Sequence, residues 1–178
     1  MRQPTITAVE STWVQVQLKA RPAKHLVREN WDWTIFEVIR LRTDSSLTGV
    51  GETMSYYTWG RGSPAAFERV KGRTPFELLW DDSLGAGLQM AVYDLAAKAA
   101  GVPLYRLLGA KVRDWCPLSW WAMDMTEQDW IGEVEEALSL GYLSAKFKAR
   151  PWRDFVAILA AVADRVPTDF RFDADFNG

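Results

Sequence analysis

Apolar and polar residues alternate from Ile6 to Leu18, with Val9, Trp13, Val14 and Val16 among the apolar positions. That pattern predicts a half-buried β-strand. Residues 20–32 are polar, contain Pro22 and His25, and read as a loop. A second strand is predicted over 34–42, rich in the strand formers Ile35, Phe36, Val38, Ile39 and Leu41. Thr43-Asp44-Ser45-Ser46 carries turn chemistry, and a short third strand follows over 47–52 with Gly49 and Gly51. The opening of the chain thus reads as a three-stranded antiparallel meander.

The period then becomes helical. Residues 64–70 predict a short helix. Leu84, Leu88, Ala91, Val92, Leu95 and Ala99 recur on one face of a long helix over 84–100, with Ser83 as its cap. Gly101 suits the position just past the helix, and Pro103 blocks its continuation. A further turn over 104–108 ends at Gly109. Beyond Arg113 the pattern changes again, giving strand 115–121, helix 130–140, strand 142–149, helix 152–166 and strand 170–175. Thr126-Glu127-Gln128-Asp129 resembles a capping box, and Gly141 closes the helix. Crossovers of this length call for parallel strands. The boundary falls near 111–114, so 1–112 is an α+β region and 113–178 a parallel α/β region. Three parallel strands cannot easily cover both of their faces. The sequence is therefore expected to be the N-terminal part of something longer.

Composition narrows the function. The chain has 178 residues, a formal net charge of −2 and 48% hydrophobic residues. Those figures suit a folded core and give no electrostatic footprint for nucleic acid. No apolar run approaches the ~18–20 residues needed to span a bilayer, and the first residues lack a signal-peptide core. Cys116 is the only cysteine, which excludes an intrachain disulfide and a cysteine-rich zinc site. A reducing compartment, the cytoplasm, is expected. Tryptophan is abundant, at ten residues, and Trp31, Trp33 and Trp59 lie in or beside polar stretches. Such rings line a pocket or pack a loop against the body.

The candidate chemistry lies on two predicted strands. Lys146-Phe147-Lys148 places two ammonium groups on one strand face, and Asp173-Ala174-Asp175 places two carboxylates on the next. Lysines on an edge strand facing water, and aspartates at a strand end running into a turn, are the ordinary alternatives. Both pairs, however, fall at strand ends where α/β folds place active sites. Mutual repulsion, desolvation and a metal cation each favour the neutral form of a lysine, which can then abstract a proton. Paired carboxylates suit a hard divalent cation. Gly49-Val50-Gly51-Glu52 lacks phosphate-loop spacing and reads as glycines in a hairpin strand or at a bulge. His25, the only histidine, has no nucleophile signature beside it and reads as a loop residue in water.

In this order the parts resemble the enolase superfamily, in its mandelate racemase/muconate lactonizing enzyme branch. The residues that carry the likeness are Thr48-Gly49-Val50-Gly51-Glu52-Thr53, the run from Val92 to Leu104, Leu107-Leu108-Gly109, Gly141-Tyr142, the Lys146/Lys148 pair and Asp173. The resemblance implies a fold: an α+β capping domain over 1–112, then the first three β/α units of a TIM-type barrel over 113–178, incomplete in this chain. It also implies a reaction. Mg²⁺ binds a substrate carboxylate, a base removes the α-proton and an enediolate forms. Lys148 would be the base, Lys146 its electrostatic partner at the carboxylate, and Asp173 the first metal ligand. The family often has Asp-x-Asn on that strand. Here Asp175 and Asn177 are either further ligands or groups supporting them. Segments 20–32 and 52–61, with His25, Trp31, Tyr56, Tyr57 and Trp59, would set substrate specificity.

The expected function is a racemase or sugar acid dehydratase acting on a small carboxylate, a homo-oligomer at full length, with its Mg²⁺ site incomplete here. A cycloisomerase or dipeptide epimerase of the same superfamily is the alternative within the class. An inactive truncated or interaction protein, pairing through open strand edges, is the alternative outside it.

Overall fold

A computed structural model describes residues 3–26 and 33–177. Among the described residues, six α-helices and six β-strands divide between two compact units. One comprises Met1–Gln17 and Arg28–Val112, the other Leu18–Val27 and Arg113–Gly178. Segment 18–27, read from sequence with the first region, thus packs with the second.

The first unit is an antiparallel sheet covered by one long helix. Strands β1 (Ile6–Gln15), β2 (Ile35–Thr43) and β3 (Thr48–Met54) pair in that order. Helix α2 (Pro64–Val70) has the predicted bounds, with Pro64 in its first turn, where a missing N–H costs nothing. Helix α3 (Ala86–Ala100) packs Leu88, Ala91, Val92 and Leu95 against Ile39 and Leu41, all essentially solvent-free. It starts later than predicted. Asp81 accepts the N–H of Ser83 at 3.1 Å and holds Asp82–Leu84 in a separate 3₁₀ turn. Gly85, at φ 77°, then breaks the path, so Gly85 rather than Ser83 precedes the helix. Gly101 ends α3 in the left-handed conformation, as its position predicted. Helix α4 (Tyr105–Leu108) follows.

Gly49 and Gly51 stand within β3, in unbroken register with β2, and not at a bulge. Their role is to admit the helix. A Cβ on Gly49 would sit 2.2 Å from the Ala91 carbonyl oxygen, and one on Gly51 2.1 Å from that of Gly87. Asp94 fastens the same contact by accepting the Val50 N–H at 2.8 Å, and Lys98 donates to the Thr48 carbonyl at 2.9 Å.

The second unit is a parallel sheet in the order β4 (Trp120–Ala122), β5 (Ser144–Lys148), β6 (Arg171–Asp175). Helices α5 (Glu127–Ser139) and α6 (Phe155–Ala163) connect the strands. Thr126 caps α5 by accepting the Asp129 N–H at 3.3 Å, and Asp154 caps α6 by accepting the Ala157 N–H at 3.1 Å. Strand β4 is shorter than the predicted 115–121, because pairing with β5 begins only at Trp120, opposite Ala145. Trp130 anchors the core. It is fully buried, donates its indole N–H to the Met123 carbonyl at 2.7 Å, and packs on Phe147 and Phe155.

The predicted loop over 20–32 contains a helix, α1 (Ala20–His25), with Pro22 in its first turn. Its basic residues, and Lys19 just before it, pair with acidic residues of α5: Arg21 with Glu133 at 2.7 Å, Lys19 with Glu136 at 2.8 Å, and Lys24 and His25 with Asp129 at 3.2 and 2.6 Å. Glu133 is buried and also accepts the Trp120 indole N–H at 2.7 Å. Acidic partners on another element, not local propensity, therefore order this segment. Among the described residues, no helix is long and apolar enough to cross a membrane.

Candidate active site

Burial along β5 alternates strictly. Ala145 and Phe147 point into the core, while Ser144, Lys146 and Lys148 are half-buried on the other face. Strand β6 pairs in register, with Lys146 opposite Asp173 and Lys148 opposite Asp175. The two lysines and two aspartates read from sequence therefore share one face of one sheet.

Their contacts are unequal. Asp175 Oδ2 accepts from the ammonium groups of both Lys146 and Lys148, each at 2.8 Å. Its Oδ1 accepts the backbone N–H of Asn177 at 3.0 Å. The Lys146 contact, then that of Lys148, then this N–H, hold the Asp175 carboxyl far below the usual carboxylate range. Lys148 also donates to the side-chain oxygen of Asn177. Asn177 takes a left-handed backbone at φ 52°, which Asn tolerates in turns. Lys148 is the more enclosed lysine, its side chain 12% exposed against 39% for Lys146. Asp175 is thus the shared counter-ion of the lysine pair, offsetting the repulsion between two like charges. Asp173 is exposed, and its side chain forms no ion pair or hydrogen bond with a described residue.

The donor set fits a hard cation in kind. A carboxylate such as Asp173 is a ligand that Mg²⁺ accepts, whereas the Asn177 amide oxygen already accepts from the Lys148 ammonium. Among the described residues, no three His, Cys, Asp or Glu side chains gather as a metal cluster. Among the described residues, Asp173 is the one of the two aspartates on this face without a cation partner.

The remaining expected residues lie elsewhere. His25 is half-buried on α1 and pairs with Asp129, so it is neither a loop residue nor in open water. Its hydrogen bond to Asp129, with that of Lys24, lowers the Asp129 carboxyl below its usual range. Trp31 lies outside the described residues. Tyr56, Tyr57 and Trp59 belong to the first unit, on the segment after β3. Tyr57 packs edge-on against Trp33 at 5.7 Å and beside Trp59 at 5.8 Å. Arg61 lies over the rings of Trp13 and Tyr56, at 4.9 and 5.5 Å. Buried Glu37 on β2 ties this segment down by accepting the Gly62 N–H at 2.6 Å. Sequence reasoning missed Glu37. A lone acid among the apolar residues of a strand was its available signal.

No family model matches the chain. Over 64 residues it is 39% identical to a D-galactonate dehydratase family member, ManD, of Chromohalobacter salexigens, covering 36% of this chain and 16% of that protein. It is 30% identical over 111 residues to D-xylonate dehydratase of Haloferax volcanii, covering 50% and 25%. It is 26% identical over 169 residues to D-galactonate dehydratase of Xanthomonas campestris pv. campestris, covering 79% and 44%. In fold it is similar to a muconate lactonizing enzyme from Mycobacterium smegmatis, with a TM-score of 0.75 and 18% identity, covering 97% of this chain and 51% of that one. A 2-chloromuconate cycloisomerase from Rhodococcus opacus gives 0.72 at 21% identity, covering 98% and 52%. The chain spans less than half the length of these curated relatives and about half that of the solved structures.

An antiparallel meander with helices, followed by parallel β/α units, is the fold of a capping domain leading into a β/α barrel. Over about half their length, the same fold is found in solved structures of a member of the enolase superfamily from Roseovarius nubinhibens, with a TM-score of 0.71 at 22% identity, and of a putative mandelate racemase from Bordetella bronchiseptica, with 0.69 at 23%.

Proposed function

We propose that this chain supplies the first half of the catalytic site of a Mg²⁺-dependent enzyme that removes the α-proton of a sugar acid and eliminates water. The observation that carries this reading is the in-register pairing of Lys146 and Lys148 with Asp173 and Asp175 on one sheet face. Residues 1–112 act as the capping domain, with Tyr56, Tyr57 and Trp59 as specificity residues, and 113–178 as the start of the barrel. Lys148, the more enclosed lysine, takes the proton. Lys146 stays charged and holds the carboxylate, where negative charge builds as the enediolate forms. Asp173 supplies an oxygen to Mg²⁺, which when bound adds Lewis-acid stabilisation of that charge. Base function requires Lys148 to shed its proton. Asp175, which accepts from the Lys148 ammonium at 2.8 Å, must then turn from Lys148 during the reaction.

Dehydration of a sugar acid is preferred because the sequence relatives are D-galactonate and D-xylonate dehydratases. Cycloisomerases and dipeptide epimerases are like this chain in fold alone. The test is a screen of acid sugars with Mg²⁺, using the protein together with whatever its gene encodes past Gly178. Replacing Lys148 by Met should lower kcat by about 10²-fold or more and change KM little. Unchanged turnover in Lys148→Met would remove Lys148 as the base.

A further inference from the structure

Helix α1 is attached by charge more than by apolar burial. None of Ala20–His25 is buried, and Leu26, just past the helix, is the residue of this segment that joins the second apolar core. Asp129, Glu133 and Glu136 are spaced by four and three residues on α5 and so form one stripe along it. Lys19, Arg21, Lys24 and His25 all pair with this stripe. Arg21 spans it, reaching Glu136 at 3.0 Å as well as the buried Glu133. Lys19 also lies over the Trp120 ring, 5.1 Å from its centroid. The Lys19 contact, then that of Arg21, holds the Glu136 carboxyl below its usual range. Gly132 makes room for the arrangement. A Cβ there would stand 3.0 Å from Arg21 Nε and 3.2 Å from its Cζ.

A glycine inside a helix weakens that helix, so Gly132 is explained by the arginine lying on it and not by α5 itself. Lys19 and Lys24 are 65% and 62% exposed, which leaves their pairs open to screening by salt, whereas an apolar core is not screened. We propose that α1 is an electrostatic latch: it clips onto α5 at low ionic strength, and rising salt releases it while the core beneath stays folded. A helix of six residues does not persist alone, so release also melts it. Helix α1 lies within residues 20–32, the stretch expected to set substrate specificity, and ionic strength would act on that stretch through the latch. The inference concerns docking alone and stands whether or not Lys148 is the base.

The test follows amide exchange in the 178-residue protein at constant pH, in about 20 mM and about 500 mM NaCl. The Ala23 and Leu26 N–H groups, which donate to the Lys19 and Pro22 carbonyls at 3.0 and 3.2 Å, report on α1. They should lose about tenfold of their protection at the higher salt, while α5 and β5 keep theirs. Undiminished protection of α1, or an equal loss in α5 and β5, would overturn the proposal. Gly132→Leu fills the notch with a good helix former. It should leave α5 protected, displace Arg21 and make Ala23 and Leu26 exchange fast at either salt concentration. Helix α1 as well protected in Gly132→Leu as in the parent protein would count against the latch. Glu136→Gln leaves the buried Glu133 in place. It should cut α1 protection about threefold at low salt and shrink the salt effect, and a salt effect of full size would remove screening as its cause. The salt series on the unsubstituted protein needs no variant, so it decides the matter even where a substitution fails to fold.

Discussion

The two sheets of this protein bury their cores by opposite means. In the first unit, β3 gives up side chains altogether: Gly49 and Gly51 let α3 lie directly on the backbone. In the second, large rings fill the space, with Trp130, Phe147 and Phe155 stacked between helices and sheet. One-sided burial is ordinary for an antiparallel sheet, whereas parallel strands are normally covered on both faces. The second sheet instead carries lysines and aspartates opposite its core. The first unit is thus specified by close backbone approach, and the second by an aromatic core that supports a charged face.

Removing the aromatic anchor is the hardest blow to this contrast. Trp130→Ala should destabilise the second unit by about 4 kcal/mol, through the cavity and the Met123 carbonyl it leaves unpaired. Hydrogen exchange should show protection lost in β5 and α5 and kept in β2 and α3. Equal loss in both units would mean that they do not fold as separate cores. Next comes Gly51→Val, which drives a branched side chain into the Gly87 carbonyl. A loss of about 2–3 kcal/mol, with α3 and β3 exchanging first, is expected in thermal and denaturant melts.

The smallest effect concerns the charged face. Asp175→Asn should leave the thermal melt at neutral pH almost unchanged, since the ion pairs are partly solvated. The pH dependence has a definite sign. The Asp175 carboxyl is held below its unfolded value by the two lysines, so its contribution is present above about pH 4 and is lost as pH falls through the lowered value. An acid melt of Asp175→Asn should therefore be flatter than that of the parent protein. Parallel curves would show that Asp175 is not the counter-ion of the pair.

Much of this architecture could be read from local sequence. Helix α2 announced itself through Pro64 in its first turn, and α3 through one apolar face ending at Gly101. The charged face followed from the strand period alone, because Lys146, Lys148, Asp173 and Asp175 needed only alternation to converge. What escaped was set by distant partners. Helix α1 depends on Glu133, Glu136 and Asp129, more than a hundred residues away. Strand β4 is cut short by where β5 begins to pair. The start of α3 was missed for a local reason, the left-handed Gly85.

The in-register facing of Lys146 with Asp173 and Lys148 with Asp175 has a consequence for assembly of the sheet itself. A slip of β6 by one residue would carry both aspartates to the side of Phe147 and turn Phe172 outward, since each residue of a strand faces opposite to its neighbour. Carboxylates would then press against an aromatic core with no cation near them, and two ammonium groups would face each other unrelieved. Parallel strands joined by a helix have no tight turn to set their alignment. The charges serve as the alignment key in its place, so substitutions that neutralise all four should yield a sheet that pairs in more than one register.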